Sequence, residues 1–180
     1  MRVNNTQTHY GIIAIILHWV FALFIFGLFA SGFYMVTLGY YDPWYHPLPA
    51  WHKWFGLLLI PLLIIRMAWH YATRQPNIDT ESKFEKIAAK IAHNLLLLLT
   101  VGIVFSGYLI ISVDNNVIKW SGLELPVLIL ELDLQTDLAG FWHKYLAYGL
   151  MALIGLHIMA SLKHQFIDKK KLIQKITWPF

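Results

Sequence analysis

Four stretches of this chain are apolar enough to sit in hydrocarbon and long enough to cross it, and they constrain the fold more than any other feature. They run over residues 12–35, 51–71, 87–113 and 140–162. A spanning helix needs about 20 predominantly apolar residues, and each run approaches or exceeds that. Lipid offers no partner for free backbone N–H and C=O groups, so such segments must be helical. The predicted fold class is all-α, an integral membrane four-helix bundle forming one domain over residues 1–180. Composition agrees: 13% of residues are charged, against about 25% in typical soluble domains. The first run is longer than a signal-peptide core and no small-x-small cleavage pattern follows it, so it reads as a retained span. No internal repeat or low-complexity stretch stands out.

Charge sets the expected orientation, because Lys and Arg accumulate on the cytoplasmic side of membrane proteins. The N-terminus, the second connection and the C-terminal tail, with the adjoining span ends, carry Arg2, Arg66, Arg74, Lys83, Lys86, Lys90, Lys163, Lys169, Lys170, Lys171 and Lys175. Only Asp79, Glu81, Glu85 and Asp168 oppose them. The other side holds Lys53, Lys119 and Lys144 against Asp42, Asp114, Glu124, Glu131, Asp133 and Asp137. Both termini are therefore expected in the cytoplasm, with the protein multi-pass in the membrane. The lysine-rich tail suits anionic lipid headgroups, and no nucleic-acid partner is expected. Pro76 should end the second helix, and Thr80 or Ser82 should cap the third. The segment 114–139, with Pro126 in its SGLELPVLIL core, is too short to span and is expected to lie on the outer surface as a lid.

Ionisable residues inside a membrane are costly and mark function, and here they are histidines. His143 and His157 lie fourteen residues apart in the last run. On a helix that spacing puts both imidazoles near one face, about 40° apart in rotation and roughly 21 Å apart along the axis. His52 matches the depth of His143 near the outer face, while His18 and His93 match His157 near the inner face. Two depths of paired imidazoles suit two stacked haems, each iron held by two histidines for electron transfer. The outer pair is then His52 with His143. The inner pair is His157 with either His18 or His93, and spacing leaves both open. With no cysteine in the chain, disulfides, iron–sulfur clusters and covalent haem attachment are excluded, so any haem would be held non-covalently. Zinc fits less well, since it favours a compact tetrahedral cluster. A proton relay would ordinarily include intramembrane carboxylates, and the middles of the runs hold none.

Other residues have two readings. Gly56, Gly102, Gly107 and Gly149 would let a porphyrin approach, or simply let helices pack closely. Trp44, Trp51, Trp54, Trp69, Trp120 and Trp142 fit interfacial belts. Arg66, about one turn from the inner end of its span, would pair with a haem propionate or snorkel to headgroups.

The segments Leu17-His18-Trp19, Trp51-His52 with Gly56, and WHKYLAYGLMALIGLH from Trp142 to His157, together with SGLELP, resemble the prokaryotic cytochrome b561 family over nearly the whole chain. The resemblance implies two haem b groups, with His52 and His143 on the outer iron and His18 and His157 on the inner one, leaving His93 outside the ligand set. It also implies a quinone near the inner haem, within reach of His164. The expected activity is that of an oxidoreductase carrying electrons from a periplasmic donor to ubiquinone. The favoured donor is superoxide, as in the superoxide oxidases of the family; a periplasmic redox protein is the other candidate. The outer segments carry three lysines against six acids, which suits a cationic protein as well as an anion steered by Lys53 and Lys144. Related cores occur in the cytochrome b subunits of formate dehydrogenases and nickel hydrogenases. An anchor subunit of a larger respiratory complex is therefore one alternative, expected to carry extra spans or an extended cytoplasmic region. A cofactor-free transporter or structural membrane protein is the other.

Overall fold

The computed structural model describes residues 3–76, 82–113, 118–120, 123–125, 135–170 and 172–177. All four apolar runs are helices: α1 (Ile12–Met35), α2 (Pro47–Ala72), α3 (Lys83–Val113) and α4 (Gln135–Leu162). α1 coincides with its run, and its 24 residues rise about 36 Å. The other three start earlier than their apolar runs, since a helix continues into the interfacial layer where polar side chains are tolerated. α2 begins at Pro47, where a proline costs no hydrogen bond because the first N–H groups of a helix have no internal partner. Ser82 immediately precedes α3, as expected of a helix start; Thr80 lies outside the described residues. α2 stops before Pro76 and runs through Pro61 without ending.

Four antiparallel spans bring both termini and the α2–α3 connection to one end of the bundle, the terminal end; the other is the loop end. At the loop end, Ile118–Trp120 (β1) and Leu123–Leu125 (β2) pair antiparallel, Ile118 opposite Leu125 and Lys119 opposite Glu124. This hairpin was not expected within the lid segment. Only Ser121 and Gly122 separate its strands, the commonest hairpin spacing. The rest of the lid expectation falls on residues outside the described ones. At the terminal end α4 passes into a π-helical turn, Lys163–Ile167, followed by α5 (Leu172–Thr177). Trp19 Nε1 donates to the Ile176 carbonyl at 2.9 Å, and Lys170 pairs with Glu85 at 3.1 Å. The tail is thereby tied to the starts of α1 and α3.

α1 packs along α2 and α3 along α4, while α2 meets α3 more lightly. The molecule is thus two helical hairpins side by side. Their shared core, Phe21, Ile25, Leu59, Leu63 and Leu150, lies between the two histidine depths. Leu23, Ile64, Leu98 and Leu156 point outward, as lipid-facing positions must.

The two hairpins also share a pattern, which corrects the expectation that the chain holds no repeat. In α1, His18 is followed by Gly27, Ser31, Gly32 and Phe33; in α3, His93 is followed at the same intervals by Gly102, Ser106, Gly107 and Tyr108. In α2, Trp51-His52-Lys53 precedes Leu59 and Arg66; in α4, Trp142-His143-Lys144 precedes Leu150 and His157, again at matching intervals. The repeat is hard to see in sequence because lipid accepts almost any apolar side chain. The residues that keep their identity include the serines and glycines packed on each hairpin's own histidine.

Candidate functional site

At the loop end the repeat places two equivalent histidines next to each other. The rings of His52 on α2 and His143 on α4 have centroids 6.2 Å apart and planes at 82°. A metal–imidazole nitrogen bond is about 2.0–2.1 Å and the ring centre lies about 1.1 Å behind that nitrogen, so two imidazoles on opposite sides of one iron have centres about 6.3 Å apart. The observed separation matches.

The protonation state of each ring also fits. Ser106 Oγ donates to the Ile103 carbonyl at 3.0 Å. His143 Nδ1 lies 3.1 Å from that hydroxyl and 3.1 Å from the same carbonyl. A carbonyl only accepts, so His143 carries its proton on Nδ1 and leaves the Nε2 lone pair available. On the opposite hairpin, Ser31 Oγ donates to the Leu28 carbonyl at 3.0 Å and lies 2.9 Å from His52 Nδ1. The hydroxyl proton is committed to the carbonyl, so Ser31 accepts from His52, whose Nε2 is likewise available. Metal-bound histidines characteristically donate their other ring N–H in this way.

Glycines give these rings their room. A Cβ at Gly32 would lie 3.1 Å from His52 Cε1, and one at Gly107 would lie 3.0 Å from His143 Cε1. Of the expected glycines, Gly107 serves a histidine and Gly102 faces Leu146 on α4. Gly32, Ser31 and Ser106 were missed by sequence reasoning, and the signal that finds them is the repeated Ser-Gly pair. The G107A variant is expected to push the His143 ring at a cost of about 1–3 kcal/mol, the usual range for overpacking. Thermal unfolding in detergent reads this, and an unchanged midpoint would mean that the ring has space to yield.

The terminal-end group is less symmetric. His93 on α3 and His157 on α4 are in edge contact, with centroids 5.4 Å apart and planes at 63°. His18 on α1 lies within electrostatic reach of both. Arg66 turns inward rather than toward headgroups: its guanidinium lies 4.7 Å over the Phe21 ring, and Nη2 is 3.2 Å from His18 Nδ1. Arginine only donates, so His18 accepts at Nδ1 here. One turn along α2, Trp69 Nε1 is a buried donor with no partner. Sequence reasoning had assigned Trp69 to the interfacial belt. An arginine and an orphaned indole N–H at neighbouring positions of one helix face are the donors a haem carboxylate takes.

His164 is part of a charged cluster below this group. Its Nδ1 lies 2.6 Å from Asp168 Oδ2, which Lys163 also meets at 2.9 Å. Lys163, then His164, hold the Asp168 carboxyl below the usual carboxylate range. Glu85, His164 and Asp168 have ligand atoms within 4.8 Å of one another. Lys163 and Lys170 already neutralise the two carboxylates, so the cluster is an ion-pair network joining α3 to the tail.

Paired imidazoles at two depths of an apolar four-helix bundle define a membrane cytochrome of the b type. Residues 9–179 match the family model described as prokaryotic cytochrome b561. The chain is also 38% identical over 178 residues to "Cytochrome b561 homolog 2" of Escherichia coli (strain K12), covering 98% of this chain and 95% of that protein. The chain belongs to the prokaryotic cytochrome b561 family: it is a multi-pass membrane cytochrome of transmembrane electron transfer, and the family implies haem b.

Proposed function

We propose that the protein holds two haem b groups, one per histidine depth, and passes electrons from a donor at the loop end to a quinone at the terminal end. The observation that carries this reading is the opposed His52–His143 pair, 6.2 Å between centroids, with both Nδ1 atoms occupied and a second histidine depth fourteen residues along α4. Haem, when bound, supplies reversible one-electron iron chemistry. His52 and His143 would hold the loop-end haem, their rings oriented by Ser31 and Ser106. His18 and His157 would hold the terminal-end haem.

Helix packing favours His18 over His93 as the partner of His157. α3 and α4 are in direct contact along their length, and packed helices sit about 8–10 Å apart, too close for a porphyrin between two axial ligands. His93 then packs against His157 rather than facing it across an iron. Ligation through His18 Nε2 requires its proton on Nδ1, so Arg66 must leave that atom. The released guanidinium, with Trp69, binds a propionate.

The terminal end is cytoplasmic by its excess of Lys and Arg. His164, with Nδ1 held by Asp168, presents Nε2 as the hydrogen-bonding group for a quinone carbonyl, with ubiquinone as the acceptor. The donor at the loop end is superoxide or a cationic periplasmic redox protein. Lys53 and Lys144 beside the two ligands favour the anion, and the surrounding acids favour the protein. A reduced-minus-oxidised spectrum of the purified protein with haem quantitation tests the core of this reading, and two b-type haems per chain are expected. Absence of a b-type band would end it. For the donor, haem reduction on mixing with superoxide is expected to outrun spontaneous dismutation; reduction no faster than that would remove superoxide from consideration.

A further inference from the structure

We propose that the chain sets its two haem potentials in opposite directions, low at the loop end and high at the terminal end, using the repeated Ser-Gly pairs of α1 and α3 and a departure from the repeat at the terminal end, where α2 has Arg66 at the position that is His157 in α4. The inference rests on the two-haem reading above. At the loop end the two hairpins contribute the same device twice. Ser31 and Ser106 each have their own proton committed to a carbonyl one turn back, so each accepts from a histidine Nδ1–H. A histidine that donates from Nδ1 is a more electron-rich ligand at Nε2, and electron-rich axial ligands favour ferric iron. Gly32 and Gly107 keep the rings seated against these acceptors, because a Cβ at either would reach the ring at 3.0–3.1 Å.

At the terminal end the repeat calls for equivalent residues at positions 66 and 157, and the chain has Arg66 and His157. The arginine brings a charge that proteins do not titrate away, and a low-dielectric interior screens it weakly. It lies 3.2 Å from His18, and once moved to a propionate it cancels an anionic charge that would otherwise favour ferric iron. α1 and α2 carry no acidic residue, and Glu85 in the first turn of α3 is already paired with Lys163 and Lys170. Reduction lowers the positive charge of a haem by one, so a fixed cation nearby favours the ferrous state and raises the potential; net charge and hydrogen bonding are the established levers on haem potentials. One electron leaving the loop-end iron, ferrous to ferric, then runs downhill to the terminal-end iron, ferric to ferrous, with no proton in the step. The direction of flow is built into the asymmetry between the hairpins.

Redox titration of the purified holoprotein, followed at the haem bands, tests this. Wild type is expected to give two components, and the one absent from H143A is the loop-end haem and the lower of the two. The S31A/S106A variant is expected to shift that lower component upward and leave the higher one in place, with serine-to-threonine replacements at both sites restoring it. R66Q is expected to lower the higher component only, and R66K to restore it. Should the double alanine variant load no loop-end haem, the single S31A and S106A variants read the same shift. A single component in wild type would overturn the two-haem reading itself. Two components with the loop-end one higher, or unmoved by the serine and arginine replacements, would overturn this proposal alone.

Discussion

Replacing His143 with alanine is expected to leave a protein that folds, inserts and carries a single b-type haem, with about half the wild-type absorbance in the haem bands. The reasoning is geometric. His143 is one of two neighbouring imidazoles proposed to hold the loop-end haem, and the pair has no third histidine nearby to replace it. His46, before α2, is in ring contact with Tyr40 and Tyr45 instead. The bundle should survive because its buried centre is Phe21, Ile25, Leu59, Leu63 and Leu150, which includes neither loop-end histidine. H52A should give the same spectrum, since the two residues are proposed to hold one iron. Retention of both haems in either variant would separate these histidines from ligation.

The second large effect distinguishes His18 from His93. H18A is expected to lose the terminal-end haem and keep the loop-end one, whereas H93A is expected to keep both. His93 is the ring nearest His157, so proximity alone would predict the reverse. The packing of α3 against α4 is the reason to expect otherwise: a ligand pair must straddle a macrocycle, and helices in direct contact leave no room for one. Loss of a haem in H93A with retention in H18A would reassign the inner pair and remove the role given to Arg66, because the guanidinium contacts His18. Quantifying haem per chain in both variants, alongside circular dichroism to show that the bundle persists, decides between them.

The four helices, their approximate limits and the two histidine depths were legible in the sequence, because hydrophobic length and the cost of intramembrane ionisable groups act on the chain locally. The approach of His52 to His143 was legible as well, since both lie near the loop end of their spans. The hairpin at 118–125 was not anticipated, because short apolar residues around a Ser-Gly pair read equally well as a surface lid. The serines were invisible as functional residues. A serine in a spanning helix ordinarily bonds its own backbone, and Ser31 and Ser106 do so; what matters is that each also accepts from a histidine on a neighbouring helix.

Sequence by itself determined that this chain spans a membrane four times, that its polar chemistry is imidazole, and that it resembles a family of membrane cytochromes, which the family match then established. Each follows from composition, period and local motif. Only the tertiary structure decided which nitrogen of His52 and His143 is available, that Arg66 turns inward onto His18, and that the hairpins are equivalent at the loop end and different at the terminal end. Those facts depend on side chains from different helices meeting at hydrogen-bond distance, and no spacing along one helix encodes which neighbour it will face.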